Sequence, residues 1–408
     1  MKTLNKNELL FIENHFLEDA DKLFLKYHKE QVNEIDYLYC INQIKLRRKF
    51  ADKFPSFVLR KDFLFPLSLN LEQSSSEYTA AYKSMLLKQG ETLLDLTSGF
   101  GIDDIYFSKQ AKRIVCVEQN KMLVDLLSYN FECLQAKNYL CVNADAEEYL
   151  LSAENFDVIY LDPARRDENK NKVFEIEASQ PNVLKLIDVL RSKAKRIILK
   201  LSPMVDIKQI EKSFENISDI HIVSLKNECK EILVEIVNHE VEEINYHCVD
   251  IKSLSFENED FFLCFNKLSQ RDNKLSQRDN KLSQRDNFLN QRLFKYLYEP
   301  NVSILKLGRF EALIEKYGFE KLHRHSHLFT SENLIENFEG RSFEVLEQRN
   351  ASPKALKDIT QANITVRNFP QTVKEIRNKT KIKEGGELYL FFTTIGNEEK
   401  ICLICKKI

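Results

Sequence analysis

Short apolar segments alternate with helical patterns through the middle of the chain. Runs of β-forming residues predict seven strands, at 92–96, 113–117, 139–142, 156–161, 196–201, 220–225 and 231–237. This alternation favours an α/β fold with a largely parallel, Rossmann-like sheet that binds its ligand at the carboxyl ends of the strands. The last two strands have no helix between them, so we expect an antiparallel pair at one edge of the sheet.

A different pattern, with apolar residues three or four positions apart, runs through residues 1–85 and predicts a helical region. The stretch "SSSE" at 74–77 predicts a capping box that opens the helix EYTAAYKSMLLKQ. We therefore expect an N-terminal helical region at 1–85, followed by the sheet domain at 86–240.

Beyond residue 240 the pattern predicts two small α+β domains, at 241–335 and 336–408. The heptad KLSQRDN occurs three times at 267–287. One apolar residue per copy cannot fill both seam positions of a coiled coil, so we interpret the repeats as a polar insertion in a surface loop, helical or disordered. In the last strand, Cys402 and Cys405 are expected to pack on opposite faces.

Composition narrows the class of protein. The 408 residues include 60 basic and 62 acidic side chains, so the net charge of −2 does not by itself indicate nucleic acid. The first residues are charged, and no apolar run approaches the ~20 residues of a membrane span. Nine scattered cysteines fit a reducing compartment. We expect a cytoplasmic protein without a membrane segment, while its oligomeric state stays open.

Acidic residues follow four consecutive predicted strands. Asp95 opens the pattern Asp-x-x-x-Gly-x-Gly, in which Gly99 and Gly101 let the backbone approach a ligand and Thr97 replaces the first glycine of the dinucleotide fingerprint. Glu118 lies 23 residues beyond Asp95, where an acid can bind both hydroxyls of a ribose. Asp145 follows the third strand, where an adenine amino group could be recognised, and Asp162 ends the fourth. Together these acids indicate a nucleotide-like ligand.

These motifs resemble a known family. The region of about residues 72–237 is similar to class I S-adenosylmethionine-dependent methyltransferases, through the stretches EQSSSEYTAAYKSMLL, DLTSGFGIDD, LDPARRD and LKLSPM. With YLYEPNVSILKLGRF and ANITVRNFP…KIKEGGELYLFF, the chain resembles bacterial methyltransferases that carry a ferredoxin-like segment and a C-terminal THUMP-like domain. The resemblance implies S-adenosylmethionine as the cofactor, with the two glycines around its methionine moiety, Glu118 at the ribose and Asp145 at the adenine. Asp95 and Thr97 are expected to complete the cofactor site.

The stretch LDPARRD is expected to carry the chemistry. For an exocyclic amine, the Asp162 carboxylate and the Pro163 carbonyl could accept N–H bonds and aim the nitrogen at the methyl group. Arg165 could stack on a base or hold a phosphate, or it could be a solvated loop residue like Arg166. A covalent route through cysteine is disfavoured, because Ser202 stands where such a nucleophile would be.

The favoured function is methylation of an exocyclic or ring nitrogen of a base in a structured RNA such as tRNA or rRNA. There are two alternatives. The first is an inactive RNA-binding protein with the same fold, and the second is a methyltransferase for a protein or small molecule. A charge run alone is usually a solvated face, but residues 353–383 carry eight basic side chains against two acidic ones within the segment that resembles an RNA-binding THUMP domain, and this resemblance implies RNA. The histidines of HRHSH (323–327) have no paired cysteine or acid nearby, so we expect no metal site.

Overall fold

A computed structural model describes residues 3–30, 35–165, 176–257, 260–271, 294–396 and 398–408. The chain forms two compact units. The first comprises residues 1–225, 230–244 and 251–265, and the second comprises 226–229, 245–250 and 266–408. Within the described ranges, every helix is too short or too polar to cross a membrane.

Helices fill the N-terminal region, as the sequence predicts. They are α1 (Lys6–His15), α2 (Ala20–Tyr27), α3 (Tyr37–Lys49), α4 (Ser68–Gln73) and α5 (Glu77–Ser84). The predicted cap of α5 is wrong by two residues, because the hydroxyl of Ser76, not Ser74, accepts the N–H of Thr79. Ser74 instead donates to the carbonyl of Leu71. This shift leaves Ser75 outside the cap and available for the contacts described below.

A nine-stranded sheet contains all seven predicted strands. Its strands are β1 (Thr92–Asp95), β2 (Arg113–Glu118), β3 (Tyr139–Asn143), β4 (Phe156–Leu161), β7 (Ala194–Leu201), β8 (Ile217–Leu225), β9 (Glu228–Val237), β10 (Asn245–Glu257) and β11 (Asp260–Arg271). The order across the sheet is β11-β10-β8-β9-β7-β4-β1-β2-β3. Strands β3, β2, β1, β4 and β7 are parallel, and β9 runs antiparallel to β7. The α/β fold class is thereby confirmed.

The sheet is wider than the sequence predicts. Strands β8 and β9 do not lie at its edge, since β10 and β11 continue beyond them and carry the sheet past residue 240 to residue 271. The first five residues of the KLSQRDN repeats, 267–271, therefore belong to a strand, and the remaining copies lie outside the described residues. Local pattern does not reveal this width, because which strands pair depends on segments that lie far apart in the sequence.

Helices pack between the strands of the first unit. They are α6 (Ile102–Phe107), α7 (Lys121–Cys133), α8 (Ala146–Ser152), α9 (Val183–Lys193) and α10 (Ile207–Ser213). Two short strands, β5 (Ala164–Arg165) and β6 (Ser179–Gln180), pair outside the sheet. One apolar core joins the N-terminal helices to the sheet domain, with Phe54 and Phe63 packed in the same cluster as Leu93 and Val158.

The second unit contains a seven-stranded sheet. Its strands are β12 (Tyr296–Pro300), β13 (Glu320–Lys321), β14 (Phe329–Ser331), β15 (Gly340–Asn350), β16 (Asn363–Arg367), β17 (Leu388–Ile395) and β18 (Glu399–Lys407), in the order β13-β14-β12-β15-β18-β17-β16. Its helices are α11 (Val302–Leu307), α12 (Glu311–Tyr317) and α13 (Val373–Thr380). Cys402 and Cys405 belong to different core clusters, which confirms that they face opposite sides of β18.

Candidate active site

A cleft of about 1300 Å³ opens at the carboxyl ends of the parallel strands. Eight of the nine predicted site residues line it: Asp95, Thr97, Gly99, Gly101, Glu118, Asp145, Asp162 and Pro163. The ninth, Arg165, lies in β5, and its side chain is outside the described part of the chain. The sheet therefore brings together residues from the ends of four strands, which is how open α/β sheets build ligand sites.

The turn between β1 and α6 needs glycine for packing against α7 as well as for access of a ligand. Gly101 begins α6 with a left-handed backbone (φ 82°), and a Cβ atom there would lie 2.1 Å from Cδ1 of Leu127. Gly99 is also left-handed, at φ 55°. Its N–H donates to Oε2 of Glu118 at 3.0 Å, while Oε1 of Glu118 accepts the N–H of Asn120 at 2.7 Å. Glu118 thus connects the turn to the end of β2.

Thr97 connects the ends of β1 and β4. Its N–H donates to Oδ1 of Asp95 at 2.7 Å, and its hydroxyl donates to the same oxygen at 3.2 Å. The hydroxyl oxygen in turn accepts the N–H of Asp162 at 2.6 Å. The residue that occupies the first glycine position of the fingerprint therefore sets the distance between the cofactor turn and the proposed catalytic carboxylate.

Asp145 is a helix cap in addition to lining the cleft. Its Oδ1 accepts the N–H groups of Glu147 at 2.8 Å and Glu148 at 3.2 Å, at the start of α8. Such capping is the common structural role of an aspartate at this position. The carboxylate is half-buried and has a second oxygen, so capping leaves an acceptor for a ligand.

Asp162 forms an ion pair with Lys200, from the end of the neighbouring strand β7. The register of β4 and β7 pairs Leu161 with Leu199, so the next residue of each strand comes together at the cleft. The side chain of Lys200 is 13% exposed and that of Asp162 36%. Burial opposes the charge of Lys200, but Asp162, Glu231 and Asp103 more than compensate and raise its pKa.

A buried polar network stands behind this ion pair. Lys83 is fully buried and donates to both carboxylate oxygens of Glu231 at 2.8 Å and to the hydroxyl of Ser75 at 3.0 Å. The Ser75 hydroxyl donates to Oδ2 of Asp103 at 2.8 Å and accepts a bond from Lys200 at 3.2 Å. Burial alone would raise the pKa of Asp103, yet Lys83 and Lys200 hold it below its usual value. We call Ser75, Lys83, Asp103, Lys200 and Glu231 the Ser75 network.

A second buried carboxyl lies on α6 without a described hydrogen-bond partner. Asp104 is fully buried, and neither of its carboxylate oxygens forms a hydrogen bond within the described ranges. Burial raises the pKa of Asp104 to about 8. The pKa of Asp95 is also raised, by burial and then by the charge of Asp104. Each of the two carboxyls therefore holds its proton more tightly than an exposed aspartate does.

Sequence reasoning missed Lys200 and the rest of the Ser75 network. Lys200 interrupts the apolar strand RIILKL, and Lys83 lies in a helix whose other residues are mostly buried. A charged residue in an apolar run is the signal that could have indicated a buried partner. The partners themselves were beyond prediction, because Lys83 and Glu231 are 148 positions apart.

Three sequence families match the chain. A family described as conserved hypothetical protein 95 matches residues 80–212, a ferredoxin-like domain matches 296–338, and a THUMP domain-like family matches 340–407. An uncharacterized RNA methyltransferase of Mycoplasma mobile is 32% identical over 84 residues, which are 20% of this chain. That match spans only 23% of the length of the Mycoplasma protein.

Solved structures give a match over the full length. A protein of Porphyromonas gingivalis W83, solved as a candidate methyltransferase, is 29% identical, with a TM-score of 0.82 and 100% of both chains covered. A candidate methyltransferase of Streptococcus mutans in complex with S-adenosylhomocysteine is 12% identical, with a TM-score of 0.29, and the match covers 43% of this chain and 99% of that one.

These similarities confirm the predicted resemblance to methyltransferases with a ferredoxin-like segment and a THUMP-like C-terminal domain. They also agree with the predicted enzyme class, a methyltransferase. The methyl donor, the acceptor and the roles of individual residues are proposals, which follow.

Proposed function

We propose that this protein transfers a methyl group from S-adenosylmethionine to a nitrogen of a base in a structured RNA. The observation that carries this proposal is the convergence of acids and glycines from four strand ends on one cleft. A cleft at the carboxyl ends of a parallel sheet is where such folds bind nucleotides. The donor is a sulfonium and already electrophilic, so the protein mainly has to hold the two reactants in line.

The cofactor is proposed to lie along the turn between β1 and α6. Gly99 and Gly101 leave room for the methionine moiety, and Glu118 accepts the ribose hydroxyls. Glu118 now accepts two backbone N–H groups, so binding would add to contacts that already fix its position. Asp145 would recognise the adenine amino group with the carboxylate oxygen that does not cap α8.

The acceptor is proposed to enter next to Asp162 and Pro163, at the end of β4. Both residues line the same cleft as the glycine turn, and Thr97 fixes the position of Asp162 relative to that turn. A carboxylate at this point can accept the N–H of the reacting nitrogen. A flipped or unpaired base is the form of RNA that would reach it.

The second unit is proposed to bind RNA phosphates through exposed lysines. Six lysines between residues 353 and 383 are exposed: Lys354, Lys357, Lys374, Lys379, Lys381 and Lys383. The two acids of the segment are already engaged, Asp358 with Arg349 at 2.5 Å and Glu375 in the capping box of α13 with Thr372. The positive charge of the lysines is therefore left for a partner such as a phosphate backbone.

The other two basic residues of this segment have structural roles. Arg367 is ion-paired with Glu299 at 2.6 Å. Arg377 donates to the carbonyls of Ile382 at 3.0 Å and Ala362 at 3.3 Å. We therefore assign the RNA contact to the lysines rather than to all eight basic residues.

Two measurements test the proposed function. Calorimetry with the purified full-length protein should detect binding of S-adenosylmethionine and S-adenosylhomocysteine. Mass spectrometry of nucleosides from a deletion strain and its parent should then reveal one methylated nucleoside that only the parent contains. RNA binding without any cofactor binding would instead identify an inactive RNA-binding protein.

A further inference from the structure

We propose that the methyl acceptor is a lactam nitrogen, a ring N–H beside a carbonyl, and that Asp162 takes its proton while Lys200 donates to the carbonyl oxygen. Such groups occur at N1 of guanine and N3 of uracil. This inference rests on the proposed function and specifies the kind of atom that the same cleft methylates.

The ion pair presents one acceptor and one donor side by side. Lys200 contacts Oδ2 of Asp162, and no hydrogen bond among the described residues engages Oδ1. The ammonium has three N–H groups, of which the described contacts with Asp162 and Ser75 use two. Both residues line the cleft. The carboxylate oxygen and the ammonium N–H that the described contacts leave unused complement an N–H next to a C=O.

The reaction of a lactam balances with these two groups. Oδ1 of Asp162 takes the proton of the ring nitrogen, and the nitrogen's electron pair attacks the methyl carbon of the sulfonium. The bond between that carbon and sulfur breaks, and its electrons remain on sulfur as a neutral thioether. As the proton leaves, negative charge develops on the carbonyl oxygen, which the Lys200 ammonium stabilises. Asp162 ends neutral, and the base is a neutral N-methyl lactam.

An exocyclic amine would gain less from the same pair of residues. Its own N–H groups can bond to Asp162, but the atom beside it that could accept from Lys200 is a ring nitrogen. A hydrogen bond from an ammonium to that nitrogen withdraws electron density from the amine and makes it a weaker nucleophile. Electrostatic groups accelerate a reaction when they face the charge that develops in the transition state. Lys200 therefore suits a lactam better than an amine.

The Ser75 network keeps Lys200 charged and in place. Ser75 accepts one of its N–H groups at 3.2 Å and itself donates to Asp103 at 2.8 Å. The charges of Asp103 and Glu231 also favour the ammonium form of Lys200, so the donor is already in place when negative charge develops on the acceptor. Pre-organised donors of this kind typically contribute roughly 10²–10³ to the rate.

The identity of the methylated atom is the decisive test. Bulk RNA from a strain lacking this protein should be incubated with the full-length protein and methyl-labelled S-adenosylmethionine, and its nucleosides analysed by mass spectrometry. We expect the label on N1 of guanine or N3 of uracil. Label on an exocyclic amine or on a ring nitrogen without a hydrogen overturns the lactam inference alone. Label on carbon or on ribose overturns both this inference and the proposed transfer to a base nitrogen. If no RNA nucleoside is labelled, the proposed function fails, and this inference fails with it.

Variants of Lys200 test its role separately. Lys200→Met should slow single-turnover methyl transfer by about 10²–10³, and Lys200→Arg should restore part of that loss. Because the lactam must then lose its proton without an ammonium nearby, the rate of Lys200→Met should rise more steeply with pH than that of the wild type. A parallel loss at every pH would mean that Lys200 only supports the structure, and would contradict the assigned role. The exposed Lys208→Met serves as the matched control and should leave the rate unchanged.

Discussion

The hydroxyl oxygen of Thr97 accepts the backbone N–H of Asp162 at 2.6 Å, across the ends of two neighbouring strands. The same hydroxyl donates to Asp95 at 3.2 Å, so one side chain fixes the relative position of the cofactor turn and the proposed catalytic carboxylate. Methyl transfer depends on such alignment, because the nitrogen, the methyl carbon and the sulfur must lie in line.

Thr97→Val should therefore impair transfer more than cofactor binding. Valine keeps the shape but leaves the half-buried N–H of Asp162 without its acceptor, a loss near the lower end of the about 1–3 kcal/mol that applies to a buried group. We expect a lower melting temperature and a single-turnover rate reduced by at least about tenfold. Thr97→Ser keeps the hydroxyl and should stay close to the wild type. Equal rates for the valine and serine variants would contradict a positioning role.

Glu118→Ala should weaken binding of S-adenosylmethionine by at least about tenfold. Hydrogen bonds to a charged group contribute about 1.5–3 kcal/mol each, and water compensates part of their loss. Titration calorimetry measures the change directly. Glu148→Ala removes an equal charge from the exposed face of α8 and should bind like the wild type. Unchanged affinity in Glu118→Ala would rule out the proposed ribose contact.

Asp104→Asn should stabilise the protein, and by more at higher pH. The folded pKa of about 8 exceeds the ordinary value of 3.8, so the folded state binds more protons between these two pH values. The wild type consequently loses stability as the pH rises from about 4 to about 8, whereas asparagine does not titrate. The gain in melting temperature, measured by calorimetry at several pH values, should grow across this window and then level off.

Asp103→Asn is the matched control for that measurement and should do the opposite. The pKa of Asp103 is lowered, since Lys83 and Lys200 outweigh the effect of burial, so its charge stabilises the fold at neutral pH. Its replacement should lower the melting temperature at pH 7 and have less effect as the pH falls through the range in which the carboxyl is protonated. If the change in melting temperature did not depend on pH in either variant, the assigned ionisation of Asp103 and Asp104 would be wrong.

Reversing Lys374 and Lys379 to glutamate should weaken RNA binding and flatten its salt dependence. For each phosphate that the protein no longer neutralises, the slope of log K against log salt becomes shallower by roughly 0.7–0.9. Both lysines belong to α13 and are exposed, so we expect the double variant to fold like the wild type. The control is the double variant Lys6→Glu and Lys22→Glu, which changes the net charge by the same amount at exposed sites of the first unit. Its RNA affinity should stay close to that of the wild type. Equal effects from the two pairs would mean that only net charge matters.

The sequence predicted the strands and the acids at their ends because both depend on local pattern. A buried strand such as Phe156–Leu161 is an apolar run interrupted only by Asp157, and the residue that follows it lies at the carboxyl end of the parallel strands. Lys200 and Ser75 escaped prediction because their importance depends on partners brought together by the fold, 38 and 28 positions away for Asp162 and Asp103. The width of the sheet was missed for a related reason, since pairing of β10 and β11 leaves little trace in a single sequence.

Ser75 and Lys83 precede residue 86, yet they hydrogen-bond to Asp103 and Glu231 within the sheet domain. A fragment that starts at residue 86 would leave Asp103 and Glu231 buried without their main cationic partner, which is strongly destabilising. It would also expose the apolar surface that Phe54 and Phe63 cover. The N-terminal region thus forms part of the same folded domain as the candidate active site, and Ser74 and Ser75 line its cleft. The smallest piece of this protein that we expect to fold and to react must include this region.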